Sequence, residues 1–565
     1  MASGATGQIL RVNLTTGRCY QETLSSETMH GWLGGRGIGT ALLREFSGCD
    51  PFDSDSPLVF SVGPLCNTPI PLSTRCTLTG HSPLTNTIFS CSSGGPFAWH
   101  LKRTGFSALV LQGTSAGPCL LEIIPDGASL VPCSDLWGLD VRTTVLRLAG
   151  ENGVAVIGPA GENSVRYASI ETKGGESFGR GGLGAVMGLK GLKAITVRGD
   201  AETLIASQPA FDKALNDLMR LFKASPFLYG PFGIRDQGTV ALVDLLLQRG
   251  MLPGMNFTSF SGKAINWNAA ALRNQFGSQA GGCHDCLVAC KRLLTDGLSL
   301  PGYDELATFG GLCGLDELGT ITAISGQCCE LGLDPVSTGA TLAVWSEITG
   351  QNLSRISLDK LLTDISKRTG QGDLLSFGAN KLANQLGQPD KAMTVKGLEL
   401  PPYDPRASTG LALGYATAPH GGSHLTAWPI ASEILRKPVP TDRFSFDGKA
   451  RIIAMFEDAN AAVDALALCR FSAAAVELEE MAALLAAVTG ESYGPADLMQ
   501  IGRRIVASEQ DFNRSNGFTV TDDCLPARFF AESANGLAPL DQQRFQQELA
   551  AYHRIRGAQL DGRSK

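Results

Sequence analysis

Gly282-Cys283-His284-Asp285-Cys286-Leu287-Val288-Ala289-Cys290-Lys291 sets three soft ligands within eight residues. Zinc and iron-sulfur clusters both take thiolates, so the residue types leave the metal open. Gaps of two and then three residues suit three corners of an iron-sulfur cubane, with the fourth ligand supplied from elsewhere in the chain. A four-cysteine zinc site would more often show a second cysteine pair, and none follows. Three buried, reduced thiols are the reading without a metal. The remote ligand lies among Cys469, Cys313, Cys328 and Cys329, which pattern alone does not separate.

Outward from that loop, the chain has 565 residues, enough for more than one core. A net charge of −7 argues against a nucleic-acid surface and leaves room for a small basic pocket around a phosphorylated cofactor. No segment approaches the twenty or so apolar residues of a membrane span, and the start shows no basic-then-apolar export signal. Fifteen cysteines in such a chain therefore read as reduced thiols and metal ligands in the cytoplasm, not as a disulfide framework.

Short apolar runs at 9–14, 58–62, 108–111, 120–124, 154–157 and 194–197 predict a strand-rich first domain over residues 1–204, with helices at 39–46 and 143–148. From 205 the period becomes helical: 209–223, 240–249, 320–331, 337–348 and 357–369 fall in a second domain to residue 400. Helices at 449–468, 473–488 and 498–510 fall in a third, 401–565, which ends in a polar tail expected to fray. The stretch 398–406, with Pro401-Pro402, reads as a crossing between domains. No internal repeat is evident.

Many of the 67 glycines fall in short clusters before residue 200. Gly34-Gly35-Arg36-Gly37-Ile38-Gly39 precedes a predicted helix and could offer amides to an anion, though it lacks the acidic partner of a dinucleotide site. Residues 75–80, with Ser92-Ser93-Gly94-Gly95-Pro96-Phe97 following, put Arg75 beside a second tight turn. Phe178-Gly179-Arg180-Gly181-Gly182-Leu183-Gly184 is the third such segment. Glycine lets backbone approach a polar ligand, and Arg75 and Arg180 can grip phosphate with two bonds each.

These segments, with Ser82-Pro83-Leu84-Thr85, Gly332-Leu333-Asp334, Gly414-Tyr415-Ala416-Thr417-Ala418-Pro419 and Asp522-Asp523-Cys524-Leu525-Pro526, occur in an order that resembles the tungsten- or molybdenum-containing aldehyde:ferredoxin oxidoreductase family. The resemblance spans almost the whole chain. It implies an α+β fold in which a β-rich domain carries a bis-pyranopterin cofactor and two mainly helical domains close over it. It assigns Arg75, Ser92, Gly94, Gly95, Arg180 and Gly181 to the phosphate and Mg2+ side of the cofactor, Asp334, Asp464 and Leu468 to its pterins, and Cys469 to the fourth corner of a 4Fe-4S cluster with Cys283, Cys286 and Cys290. Four departures stand out. Ser92 replaces an asparagine, Ala467 a glycine, Cys329 a pterin-binding aspartate, and Gly302-Tyr303-Asp304-Glu305 a segment carrying the catalytic glutamate.

The implied reaction oxidises an aldehyde to a carboxylic acid with water and delivers two electrons through the cluster to ferredoxin or a ferredoxin-like subunit. His424 stands at the family's active-site histidine position. Asp304 takes the position of the glutamate with a shorter arm, while Glu305 has the length but is shifted by one residue. Cys313 could reach the metal from the neighbouring loop, although a packed thiol is the simpler reading. An oligomer is expected. The departures also keep open a low-potential reductase subunit acting on a carboxylic or aromatic substrate, and a cofactor-bearing electron-transfer subunit without turnover of its own.

Overall fold

The computed structural model describes residues 6–557 apart from 149, 151 and 261. Residues 1–5, where no export signal is expected, and the end of the tail expected to fray lie outside the described residues. Twelve strands build two six-stranded mixed sheets: β1 Gln8–Asn13, β2 Arg18–Thr23, β3 Leu58–Val62, β4 Cys76–His81, β5 Ile88–Ser93 and β6 Ala108–Gln112 in the first, and β7 Cys119–Ile124, β8 Gly127–Pro132, β9 Gly153–Val156, β10 Ile170–Thr172, β11 Glu176–Phe178 and β12 Leu192–Val197 in the second.

Their spatial orders are β2-β1-β6-β3-β4-β5 and β11-β10-β9-β12-β7-β8. Read from the other edge, the second is the first with every strand advanced by six. Each contains one parallel pair, β1 with β6 and β7 with β12, among antiparallel neighbours. The architecture is thus duplicated, although no repeat is visible in the amino acids. Apolar faces of both sheets share one core, with Phe60 edge-on to Phe97 and Phe178 at 5.7 and 5.4 Å.

Several strands were not foreseen. Cys-Thr-Leu-Thr-Gly-His in β4 carries little apolar signal, yet all six residues are buried, because its neighbours β3 and β5 and the helix Gly35–Leu43 cover it. Residues 76–80 are therefore strand, not the tight turn expected. Gly34-Gly35-Arg36-Gly37 likewise does not precede a helix but opens one. Its arginine is buried and pairs with Glu509 at 2.6 Å and Asp464 at 3.2 Å, so its side chain packs the segment against the helices that carry them.

Beyond residue 205 the structure is mainly helical, with only two-stranded hairpins at Pro253–Gly254/Ser259–Phe260, Gln279–Gly281/Lys291–Leu293 and Thr394–Val395/Leu398–Glu399. The stretch 398–406 is buried throughout. The polar tail folds into the helix Gln542–Arg556, anchored where Tyr552 donates to Glu457 at 2.5 Å and Arg556 pairs with Glu457 and Asp458. Helix Pro495–Ser515 crosses Lys449–Ala465 at Gly502, where any Cβ would overlap the carbonyl of Asp458. Gly502→Ala is expected to lower unfolding free energy by about 3 kcal/mol or more, because neither helix backbone can yield locally. Urea denaturation of the two proteins checks this.

Candidate active site

One cavity of about 1520 Å³ runs between the first domain's sheets and the helices that cover them. Cys283, Cys286, Cys290 and Cys469 all line it, together with Arg75, Ser92, Asp304, Glu305, Tyr403 and His424. The cysteine loop is the connection of the hairpin Gln279–Gly281/Lys291–Leu293. Asp285 and Ala289 take positive φ, 54° and 45°, and all three of its cysteines reach the cavity. Cys286 N–H donates to the Cys283 carbonyl at 3.1 Å. Gly94 packs on Cys283 so closely that a Cβ would overlap its Sγ.

Burial pushes the Cys290 thiol up to about 12, with the charge of Cys469 adding to it, and raises Cys283 well above the ordinary range. Arg75 opposes this. Burial disfavours its charge, but Cys469, Cys283, Glu176 and Cys290 around it hold the guanidinium more firmly protonated than usual. It donates to Ser92 Oγ at 2.8 Å and to the Ser92 carbonyl at 2.6 Å. Among the described residues no three His, Cys, Asp or Glu side chains gather tightly enough for a single ion.

Asp304 and Glu305 begin the short helix Tyr303–Leu306, which runs directly into the π-helical turn Ala307–Leu312. Their side chains part. Glu305 turns back and accepts from the N–H of Gly302 at 3.0 Å, capping its own helix. Asp304 is half-buried, lies beside the Tyr403 hydroxyl, and leaves Oδ1 without a hydrogen-bond partner. Burial, then the neighbouring Glu305, push its carboxyl up to about 7. The ring of Tyr403 stacks on His424, centroids 4.7 Å apart, and Trp428 closes on His424 at 5.4 Å. His424 Nδ1 has no partner, and burial, followed by Arg180 and Arg470, lowers its pKa to about 3.

The other histidine of that loop diverges. His420 packs on Phe89 at 5.0 Å and reaches Thr426 at 3.3 Å, away from the cavity lining. Cys313 points into the core and donates to the Gly339 carbonyl at 3.1 Å, so it is a packed thiol.

Two family models cover nearly all of this architecture: the aldehyde ferredoxin oxidoreductase N-terminal domain over residues 9–199, and domains 2 and 3 of the same enzyme over 213–565. The chain belongs to the aldehyde ferredoxin oxidoreductase family. It is 34% identical to the tungsten-containing aldehyde ferredoxin oxidoreductase of Pyrococcus furiosus, over 99% of this chain and 97% of that one, and 33% identical to that of Thermococcus kodakarensis over the same shares. An aliphatic sulfonate oxidoreductase subunit of Pyrococcus furiosus is 25% identical over 74% of each chain. Among solved structures, the active-site complex of benzoyl coenzyme A reductase with 1,5-dienoyl-CoA superposes with a TM-score of 0.84 at 22% identity, covering 99% of this chain and 95% of that one, a likeness of fold.

This aldehyde ferredoxin oxidoreductase family member is an oxidoreductase. Its other expected site residues, Gly94, Gly95, Arg180, Gly181, Asp334, Asp464 and Leu468, stand behind the cavity lining. Asp334 caps the helix Pro335–Thr349 by accepting from the N–H groups of Val336 and Ser337, both at 3.1 Å, and lies 3.5 Å from Arg180 Nε. Asp464 bridges Arg36 and Arg470. Ala467 takes φ 54°, the left-handed conformation that favours the glycine it replaces. Cys329 is exposed, but to the cavity, where Glu171 faces it and Lys291 pairs with Glu176 at 3.2 Å.

Tyr403, Trp428 and Glu171 were not singled out beforehand. An aromatic directly after Pro401-Pro402 was the available signal for Tyr403. The raised carboxyl of Asp304 has a consequence for stability. Between about pH 4 and pH 7 the folded chain keeps a proton that the unfolded chain releases, so stability falls as pH rises through that window. Asp304→Asn should remove the slope. Its unfolding free energy should gain on the parent's by up to roughly 4 kcal/mol across the window and stay level above pH 7. His424 contributes the opposite slope in both proteins and cancels in the difference. Urea titrations at several pH values measure it.

Proposed function

We propose that this protein oxidises an aldehyde to a carboxylic acid at a tungsten, or molybdenum, bis-pyranopterin centre, passing electrons through a 4Fe-4S cluster to ferredoxin or a similar carrier. The observation that carries the reading is the meeting, in one cavity, of four thiols with a carboxyl whose oxygen is unpaired and an imidazole whose nitrogen is unpaired.

The residues present fit these groups. Arg470 Nη1, Asp304 Oδ1 and His424 Nδ1 are buried polar atoms without hydrogen-bond partners, a cost that bound ligand atoms would relieve. Cys283, Cys286, Cys290 and Cys469 would hold the cluster, and the raised pKa values of Cys283, Cys286 and Cys290 favour a ligand that brings positive charge. Arg75 and Arg180 would meet cofactor phosphates. The Ser92 carbonyl, which accepts from Arg75, would serve as a ligand for magnesium. When bound, the metal-pterin centre accepts two electrons and polarises the substrate oxygen.

The overall change is RCHO + H2O → RCOOH + 2H⁺ + 2e⁻. Asp304, near half-protonated at neutral pH, is suited to take a proton as water adds to the aldehyde carbon. The Tyr403 hydroxyl fixes the carboxyl, and its ring holds the His424 imidazole flat. His424, kept neutral by burial, offers Nδ1 as donor or acceptor to the substrate oxygen. Glu305, already used as a cap, is a structural residue in this reading.

Asp304→Asn should lower turnover by a hundredfold or more while tungsten and pterin content stay at the parent level; equal rates would sink the role. Glu305→Gln should cost about 1 kcal/mol of stability with turnover within a few-fold of the parent's. Cys286→Ser should lose most iron, measured by metal analysis of anaerobically purified protein. Unchanged iron would overturn the cluster.

A further inference from the structure

The wall of the cavity opposite Cys329 is set by a backbone clasp. The Tyr167 carbonyl accepts from the N–H of Asp334 at 3.1 Å, the Gly332 carbonyl accepts from the N–H of Ser169 at 2.9 Å, and Ala168 bridges antiparallel to Leu333 between them. From there one chain runs forward into β10 and the other runs back into the last turn of the helix Leu318–Leu331. Three residues after Ala168 stands Glu171, and three before Leu333 stands Glu330, the neighbour of Cys329. The clasp thus brings Glu171 to the end of the helix that carries the thiol.

Side chains alternate along a strand. Ile170 is buried in the core shared by the sheets, while Ser169 and Glu171 take the other face, where Ser169 Oγ donates to Glu171 Oε1 at 2.6 Å. Glu171 is only 4% exposed, yet it lines the cavity together with Cys329. Its second oxygen accepts no hydrogen bond among the described residues. Burial, working against the bond from Ser169, pushes its carboxyl up to about 7, so a ligand that supplied donors would draw it into the ionised form. The other carboxyls of this wall are engaged or turned outward. Asp334 accepts from Val336 and Ser337 with one oxygen each, Glu176 pairs with Lys291, Glu305 caps its helix, and Glu330 is exposed.

We propose that Glu171 is the carboxylate that holds a pterin at this wall, accepting from its ring N–H and amino group in place of the aspartate that Cys329 replaces. The proposal rests on the reading of the cavity as a bis-pyranopterin site. In this chain the carboxyl has moved from the helix Leu318–Leu331 to the strand that faces it. A thiol accepts hydrogen bonds only weakly, so Cys329 does not do this work itself. An ionised carboxylate binds N–H donors about twice as strongly as a neutral acceptor does. Ser169 orients the group before any ligand arrives, which lowers the ordering cost of binding. Glu171 acts as a binding residue: no covalent bond forms or breaks, and a proton displaced from its carboxyl passes to water.

The test uses the metal-loaded protein, purified anaerobically, and follows pterin release during dialysis in moderate urea by the fluorescence of the oxidised pterin. Glu171→Gln keeps the size of the side chain and should release pterin about tenfold faster than the parent, with tungsten or molybdenum lost alongside and iron content unchanged. Adding Cys329→Asp to Glu171→Gln restores a carboxylate on the facing wall and should bring the rate back to within about twofold of the parent's. Glu330→Gln should behave as the parent does. Release from Glu171→Gln at the parent rate would overturn the assignment. So would faster release that Cys329→Asp fails to rescue, which would mark Glu171 as a structural carboxyl only. A parent protein that carries iron but neither pterin nor tungsten or molybdenum would refute the pterin centre itself, a result distinct from failure of this one residue.

Discussion

The arrangement depends on backbone meeting backbone where the first domain receives the segment 464–469. Gly35 lies against the Asp464 carbonyl and Gly63 against that of Leu466, each so close that a Cβ would overlap the oxygen. The Cys469 N–H then donates to the Leu72 carbonyl at 2.8 Å. Without those contacts a residue from the far end of the chain would not share a cavity with the cysteine loop. Most of the other site contacts refine a juxtaposition that these glycines permit.

Bringing the segments together buries charge, and the structure meets that cost by pairing. Arg36 is held by Glu509 and Asp464, Asp464 also by Arg470, and Lys291 by Glu176. Buried pairs of this kind are costly to break because the remaining charge is left without a partner. Groups facing the cavity are treated differently. Asp304, His424 and Arg470 each keep one polar atom without a hydrogen-bond partner.

Much of this was legible in the residues, and where reading failed the reason is physical. Apolar runs located β1, β3, β6, β7, β9 and β12, the strands at the hearts of the two sheets. Strands β4 and β5, rich in serine, threonine and cysteine, were missed because their burial comes from elements laid over them, not from their own hydrophobicity. The duplicated topology was invisible because hydrogen-bond order constrains direction and register far more than side-chain identity. Asp304 and Glu305 could not be ranked by length or position. Helix capping by Glu305 separates them, and capping is a property of the folded turn.

The sequence by itself determined that three thiols share one loop, that the first third is strand-rich and the rest mainly helical, and that glycine recurs where backbone must come close. These follow from local spacing and periodicity, which survive without a partner. Only the tertiary structure decided that Cys469 faces that loop while Cys313 is packed away, that His424 and not His420 turns to the cavity, and that Tyr403 joins Asp304 to His424. Each of those depends on which distant surface is buried against which, and burial is settled by the whole chain.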